Sequence, residues 1–169
     1  MFYEFILRKL SESKIKYLVI GGVAVNLHGY TRATNDLDIM LSFDKENVEK
    51  FSKLVKELGF KPKIPVDIIE LADPNKREHW KKERNMKVFS IYNAENEFEV
   101  IDIMIQDYID FETAYKNKKI MLDEGISIPV ISISDLIKLK EIATQERDRD
   151  LTDLKILRKF KEQEDEGQR

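Results

Sequence analysis

The sequence of 169 residues contains no cysteine and has only four prolines, six glycines and one tryptophan. A chain without cysteine has no disulfide, no thiolate metal site and no cysteine nucleophile. No apolar run approaches the roughly 18 residues that a membrane span needs. The N-terminal stretch carries acid within its apolar part and lacks a small-residue cleavage site, so we predict no signal peptide. These absences predict a cytoplasmic protein that makes no membrane contact.

A strong charge of one sign is also missing. The 29 basic and 32 acidic residues nearly cancel and leave a net charge of −3. A protein dedicated to coating duplex DNA would be far more basic. Nine Phe and six Tyr argue against a disordered acidic tail. Hydrophobic residues make up 42% of the chain, which is enough for the core of one ordinary domain.

Hydrophobic spacing predicts an α+β domain over 1–131, a C-terminal helical pair over 132–163 and a frayed polar tail over 164–169. Ser134 is predicted to cap the first helix of the pair. The stretch 61–74 contains three prolines and is predicted to be loop with one helical turn. The other predicted helices cover 2–13, 23–28, 44–58, 75–85 and 107–117, and the predicted strands cover 17–20, 36–42, 86–92, 98–105 and short parts of 119–131.

Three aspartates form the main candidate site. Asp36 and Asp38 lie two residues apart on a predicted strand, so their carboxylates project from the same face. Asp102 interrupts a second apolar strand, where an unpaired carboxylate is costly to bury unless a cation lies beside it. Three carboxylates on adjacent strands are suitable ligands for a pair of Mg²⁺ ions. The alternative is that the first two keep a strand edge soluble and the third is a paired core acid.

The Gly21-Gly22 pair follows a predicted strand and opens a helix. Such a turn can direct backbone N–H groups toward an anion. The sequence GGVAVNLHG lacks both the GK[ST] ending of a P-loop and the GxGxxG pattern. A tight turn without a ligand is the alternative for this pair.

A basic stretch and two histidines leave their roles open. Residues 76–87, KREHWKKERNMK, hold six basic and two acidic side chains around Trp80. They could bind an RNA acceptor, with Trp80 stacked on a base, or form a solvated helix that Trp80 anchors to the core. His28 precedes Gly29 at a helix end and is interpreted as a helix cap or a nucleotide contact. His79 is predicted at the surface.

The stretch LVIGGVAVNLHGYTRATNDLDIML resembles the nucleotidyltransferase superfamily related to DNA polymerase β. It is most similar to the small bacterial nucleotidyltransferases of abortive-infection and toxin–antitoxin systems. The C-terminal SDLIKLKEIATQERDRDLTDL resembles the terminal helices of that subgroup, with a Lys, then an Arg, then Asp residues. The resemblance implies a mixed β-sheet flanked by helices, with a C-terminal helical pair.

The resemblance also implies a chemistry, in which an acceptor hydroxyl attacks the α-phosphate of a nucleoside triphosphate. Asp36, Asp38 and Asp102 would be the catalytic metal ligands, for two Mg²⁺ ions or for Mn²⁺. The acceptor would be RNA, a protein or a small molecule, and an antitoxin would be a partner protein. The residues that would bind phosphate are Gly21, Gly22, Arg32 and Lys140.

Two features separate the possible functions. Family members often carry serine where this chain has Gly22 or Val23, so a catalytically degenerate nucleotide sensor or partner subunit is the alternative to an enzyme. A nucleic-acid-binding protein that ignores the aspartates is a third possibility. Arg147, Asp150 and Asp153 form a possible secondary cluster with Lys140, either near the nucleotide or as a surface salt-bridge network.

Overall fold

A computed structural model describes residues 2–123, 125–144 and 149–167. A 3₁₀ helix covers Ile68–Ala72. The α-helices are α1 Phe2–Glu12, α2 Gly21–Leu27, α3 Lys45–Glu57, α4 Pro74–Glu83, α5 Phe111–Lys116, α6 Ile133–Thr144 and α7 Arg149–Gly167. The strands are β1 Tyr17–Val19, β2 Asp36–Leu41, β3 Phe60–Pro62, β4 Val88–Asn93, β5 Val100–Met104, β6 Lys119–Asp123 and β7 Ile126–Val130.

The seven strands form one mixed sheet in the order β3-β4-β5-β2-β1-β7-β6. β2 runs parallel to β5, and β1 runs parallel to β7, while the other neighbouring pairs are antiparallel. The predicted α+β class, with a mixed sheet, flanking helices and two C-terminal helices, is confirmed. Because parallel neighbours need long crossovers, β2 and β5 bring together segments that are far apart in sequence.

The middle of the sheet is also the middle of the core. Leu18 in β1, Leu37 and Ile39 in β2, and Ile101 and Ile103 in β5 have no exposed surface. The four residues from β2 and β5 share one face of the sheet, whereas Leu18 and the adjacent, equally buried Val19 point to opposite faces, so both faces of the sheet are covered at β1. A polar side chain on these strands is therefore either paired or placed at a strand end.

Local signals explain where several helices begin and end. Asp44 caps α3, with its side chain accepting a hydrogen bond from the Asn47 N–H at 2.9 Å. Gly59 follows the helix with a φ of +83°, in the left-handed region. The prediction that Ser134 caps α6 is wrong by two residues. Ser132 precedes α6, and its hydroxyl accepts from the Asp135 N–H at 3.1 Å.

Other boundaries differ where pairing partners are distant in sequence. The stretch predicted as loop contains β3, which pairs with β4. The second strand of the predicted hairpin begins at Val100 rather than Phe98. α7 continues to Gly167, so residues 164–167 of the expected frayed tail are helical. In the part of the chain that the structure describes, no helix is long and apolar enough to cross a membrane.

Candidate active site

The three predicted aspartates lie on the two central parallel strands. Asp36 is the first residue of β2, and Asp38 follows it on the same face. Asp38 is the register partner of Asp102 in β5, so these two carboxylates stand side by side across the ladder. Asp36 is exposed, whereas Asp38 and Asp102 are partly buried. The expected grouping of the three acids on adjacent strands is what the structure shows.

Asp38 lies in an unfavourable electrostatic position for an ionised carboxylate. Burial raises the pKa of its carboxyl to about 7, and the nearby charges of Asp102 and Asp36 add to the increase. The ammonium of Lys140 and a hydrogen bond from the Gly22 N–H act in the opposite direction. The ionised form of Asp38 is therefore undercompensated by the protein, and a bound cation would stabilise it.

The two glycines fit tightly against this carboxylate. Gly21 has a φ of +63°, and a Cβ built there would lie 2.1 Å from Asp38 Oδ2. A Cβ on Gly22 would lie 2.6 Å from Thr34 Oγ1 and 3.1 Å from Arg32 Nη2. The distances of 2.1 Å at Gly21 and 2.6 Å at Gly22 are too short for a Cβ contact, so the fold requires glycine at both positions. The Gly22 N–H is directed at Asp38, which makes this turn part of the carboxylate's surroundings.

Ser90 is a site residue that the sequence analysis missed. It lies in β4 as the register partner of Asp102, and its hydroxyl donates a hydrogen bond of 2.5 Å to Asp102 Oδ1. The signal was a polar residue between Phe89 and Ile91 in an apolar strand. The predicted turn ended at residue 97, whereas the real turn extends to Glu99, whose carbonyl accepts from the Asn93 N–H. This shift by two residues sets Ser90 opposite Asp102.

The predicted cations and the predicted secondary cluster form one buried network. Arg32 binds Asp153 through two hydrogen bonds, Nε to Oδ1 at 2.9 Å and Nη2 to Oδ2 at 2.8 Å. Lys140 Nζ lies 2.8 Å from Asp153 Oδ2 and 2.5 Å from Asp150 Oδ1. The hydrogen bonds from Arg32 and Lys140 lower the pKa of Asp153 against the effect of burial. Arg147, the remaining predicted member, lies outside the described residues.

The network is internal, so the interpretation as a surface salt-bridge network is wrong. Asp150 and Asp153 are 4% and 1% exposed, and Lys140 is 7% exposed. Arg32 lies in the segment between α2 and β2, Lys140 lies on α6, and Asp153 lies on α7. The network therefore joins the C-terminal helices to the segment that precedes Asp36 and Asp38.

The donor set of the three aspartates suits a hard divalent cation. All ligands would be carboxylate oxygens, which Mg²⁺ and Mn²⁺ both accept. Asp38 is the residue with most to gain, because its carboxylate lies between two like charges. Among the described residues, no three His, Cys, Asp or Glu side chains already converge as a metal-binding group. The chemistry of the residues fits the ion, while the side chains are not drawn together around one point.

The basic stretch does not offer its aromatic residue for stacking. Trp80 is 3% exposed and packs on Phe89, with ring centroids 5.4 Å apart. Lys81 forms ion pairs with Glu78 and Asp107. The interpretation of Trp80 as a core anchor is confirmed, and the base-stacking alternative is wrong.

The two histidines, His28 and His79, lie at a helix end and at the surface, respectively. His28 is the C-terminal cap of α2, and its Nε2 lies 2.8 Å from the Ile131 carbonyl oxygen. Burial lowers the pKa of its imidazole. His79 is exposed, as predicted.

Solved structures share this fold. The lincosamide antibiotic adenylyltransferase LnuA, bound to lincomycin, superposes with a TM-score of 0.62 at 19% identity, covering 94% of this chain and 96% of LnuA. The antibiotic-resistance factor ANT(2'')-Ia gives a TM-score of 0.59 at 14% identity, covering 92% of this chain and 80% of its own. TM1012 of Thermotoga maritima, assigned as a nucleotidyltransferase, gives 0.54 at 16% identity over 95% and 93% of the two chains. At these identities the likeness establishes the fold.

Sequence comparison supplies the family. No curated protein matches the chain. The profile of the family described as nucleotidyl transferase AbiEii toxin, type IV toxin–antitoxin system, matches residues 5–167, which is nearly the whole chain. That match includes the glycine turn, the three aspartates and both C-terminal helices. The chain therefore belongs to the AbiEii family of nucleotidyltransferase toxins.

Proposed function

We propose that this protein transfers a nucleoside monophosphate from a nucleoside triphosphate to a hydroxyl acceptor and that it needs Mg²⁺ or Mn²⁺ to do so. The observation that carries the proposal is the register pairing of Asp38 with Asp102, with Asp36 on the same face. The pKa of Asp38 is raised to about 7 by burial and by its like-charged neighbours. Such a site is completed by divalent cations and phosphate oxygens.

The proposed roles follow from position. Asp36, Asp38 and Asp102 would hold two metal ions, which when bound supply charge neutralisation at the phosphoryl oxygens. Asp102 accepts the proton of the acceptor hydroxyl as its oxygen attacks the α-phosphorus. The bond between the α-phosphorus and the bridging oxygen breaks, and pyrophosphate leaves. Ser90 holds one oxygen of Asp102 through its 2.5 Å hydrogen bond, which fixes the orientation of that carboxylate.

Phosphate binding is assigned to the groups beside the glycine turn. Arg32 lies against Gly22, and Lys140 lies close enough to Asp38 to lower its pKa. Asp153 contacts both Arg32 and Lys140 and so orients the two side chains. Each cation keeps N–H donors that Asp153 does not use. Gly21 and Gly22 let the turn pack directly against Asp38, and the Gly22 N–H donates to its carboxylate, so the turn holds Asp38 beside the proposed phosphate site. In this assignment, the buried network contributes to catalysis by positioning the positive charges of Arg32 and Lys140.

The acceptor and the partner are proposed from the family. LnuA is a lincosamide antibiotic adenylyltransferase, and ANT(2'')-Ia is an antibiotic-resistance factor. The family description of this chain names a toxin of a type IV system. We therefore propose a cellular acceptor, with RNA first and a protein hydroxyl or small molecule as alternatives. An antitoxin encoded as a second protein would be its counterpart.

A nucleotide-binding module without turnover is the second candidate. The observation in its favour is that Gly22 and Val23 stand where the family often has serine, so one phosphate contact is missing. In this structure the Thr34 hydroxyl occupies the space that a side chain at Gly22 would need. A sensor would bind the nucleotide through the same residues and leave the α-phosphate intact.

The test is a transfer assay with each α-labelled nucleoside triphosphate, Mg²⁺, total RNA and cell extract. The wild type is compared with Asp38→Ala, Asp102→Ala and Glu97→Gln. Glu97 is an exposed acid in the turn between β4 and β5, and it is the matched control for loss of one negative charge. We expect label on one acceptor class with the wild type and the control. Both aspartate variants should lose at least a hundredfold in rate.

The outcomes separate the candidates. Label on RNA, on protein or on a small molecule identifies the acceptor. Nucleotide binding that depends on Mg²⁺ without any label supports the sensor. Transfer that is unchanged in Asp38→Ala and Asp102→Ala would sink the proposed mechanism.

A further inference from the structure

The last strand of the sheet, β6, is unusually exposed for an apolar segment. β6 pairs with β7 on one side only and is the end strand of the sheet that the described residues form. Ile120 and Leu122 are 50% and 78% exposed. They are two residues apart and so lie on the same face of the strand. Natural edge strands are commonly protected by proline, bulges or inward-pointing charge, and the sequence Ile-Met-Leu at the centre of β6 has neither proline nor charge.

Pro129 fixes which backbone groups of β6 face outward. It is the register partner of Ile120 in β7. Proline has no N–H, so this pair cannot exchange both hydrogen bonds and must be a non-hydrogen-bonded pair. The N–H and C=O of Ile120 and Leu122 therefore point away from β7, toward the open edge. Met121 has the opposite phase, and its backbone groups pair with Ile128.

The sequence of β6, KIMLD, is complementary to itself when two copies run antiparallel. With a two-fold axis at Met121, Ile120 lies opposite Leu122 of the second copy, and each pair joins outward-facing backbone groups. Two such pairs exchange about four hydrogen bonds. The same register sets the basic position 119 opposite the acidic position 123. Registers shifted by two residues lose this match of charge and hydrophobicity.

We propose that β6 is the interface for a second copy of this chain, which adds its own β6 antiparallel about Met121 and extends the sheet across both copies. The four apolar side chains, Ile120 and Leu122 from each copy, come together on one face. Lys119, which pairs with Glu164 in its own chain, retains N–H donors for the acid opposite. The proposal does not depend on nucleotidyl transfer.

Introduced cysteines test the register, because the chain has none of its own. In the proposed pairing Met121 faces Met121 of the second copy as a non-hydrogen-bonded pair, with Cα atoms about 4.5 Å apart. That distance lies within the range of disulfides. Met121→Cys should form a disulfide-linked dimer under mild oxidation, at least tenfold faster than Phe98→Cys, whose residue is 88% exposed in the β4–β5 turn. Leu122→Cys should form it more slowly than Met121→Cys, since the two copies of Leu122 lie on a diagonal.

Sedimentation of the uncross-linked protein, up to about 1 mM, tests the interface itself. We expect a dimer whose dissociation constant rises at least tenfold in Leu122→Lys and in Ile120→Lys. Phe98→Lys removes another exposed apolar side chain and adds the same charge, and it should leave the dimer unchanged. A wild type that stays monomeric at every concentration would overturn the proposal. So would a dimer that both β6 variants preserve, because it would use another surface.

Discussion

Two groups of charged residues lie near each other in this fold, and they are balanced in opposite ways. Asp38 lies beside the like charges of Asp102 and Asp36, and its pKa is raised to about 7 by burial and by these charges. Arg32, Lys140, Asp150 and Asp153 alternate in sign and satisfy one another. Buried charges are tolerated when they are paired. The paired group can therefore organise the fold, whereas the ionised form of Asp38 would be stabilised by a cation that the chain does not supply.

The largest effect should come from breaking the balanced group. Asp153→Ala removes the acid that both Arg32 and Lys140 contact, which leaves Arg32 without its carboxylate partner and Lys140 with Asp150 alone. Loss of one partner from a buried ion pair costs about 3–5 kcal/mol. Urea denaturation should show a decrease of this size in the free energy of unfolding. Asp165→Ala removes an exposed acid of the same helix and should change it by less than about 0.5 kcal/mol. Equal stability of the two variants would contradict the assigned role of Asp153.

A second change, Gly21→Ala, increases the crowding around the Asp38 carboxylate. Gly21→Ala introduces a Cβ into the space of the Asp38 carboxylate and strains a φ of +63°. Gly125→Ala meets the same kind of strain at a φ of +80°, with no atom within 4 Å of the new Cβ. We expect thermal denaturation to show about 1 kcal/mol lost at Gly125 and at least about 2 kcal/mol lost at Gly21. A Gly21 variant no less stable than the Gly125 variant would show that Asp38 moves aside at no cost.

A third change, Asp38→Asn, removes the repulsion between Asp38 and its like-charged neighbours and should therefore stabilise the metal-free protein. The folded-state pKa of Asp38 is about 7, above its ordinary value of 3.8, so between these values the folded state binds more protons than the unfolded state. The contribution of Asp38 to stability must fall as pH rises from about 4 to about 7. Asp38→Asn should be more stable than the wild type by about 1–2 kcal/mol at pH 8, with the gain absent below pH 4.

Thermal melts over this pH range measure the difference, and Mg²⁺ sharpens the result. The ion should raise the wild-type melting temperature at pH 8 and leave Asp38→Asn unchanged, because it binds the ionised carboxylate. Asp36→Asn is the control for the loss of one exposed carboxylate, since it keeps the Asp38 side chain. A wild type more stable than Asp38→Asn at pH 8 without metal would contradict the raised pKa.

The smallest effect belongs to an ion pair with the same chemistry and no burial. Arg158 Nη2 lies 2.8 Å from Glu141 Oε1, and the two side chains are 57% and 48% exposed. Exposed pairs typically contribute about 0–1 kcal/mol. A double-mutant cycle with Arg158→Ala and Glu141→Ala should give a coupling in that range, far below the effect of Asp153→Ala. A coupling above about 2 kcal/mol would show that exposure does not set the difference between the two pairs.

Features set by local chemistry could be predicted from the sequence. The Asp44 cap depends only on Asn47 in the next turn. The pairing of strands that bear Asp38 and Asp102 could be expected from the motif and the resemblance together, because both strands were apolar apart from the acids. β3 could not be predicted, since Phe60–Pro62 is short, contains proline and becomes a strand only by pairing with β4.

The site was predictable in its residue types and less so in its contacts. The network residues were named, but their burial and their shared bond to Asp153 depend on how α6 and α7 pack on the segment before β2. Ser90 was missed because its position opposite Asp102 depends on a turn two residues longer than predicted. In each case the missing information was the position of a residue distant in sequence.

The contact between Arg32 and Asp153 spans 121 positions of the chain. Synthesis proceeds from the N-terminus at about 5–20 residues per second. A nascent chain therefore exposes the glycine turn, the three aspartates and the complete sheet well before α7 arrives to hold Arg32 in place. A ribosome-bound intermediate lacks the contact between Arg32 and Asp153 until α7 has been made. The network that positions Arg32 therefore forms later in synthesis than the strands that carry the three aspartates.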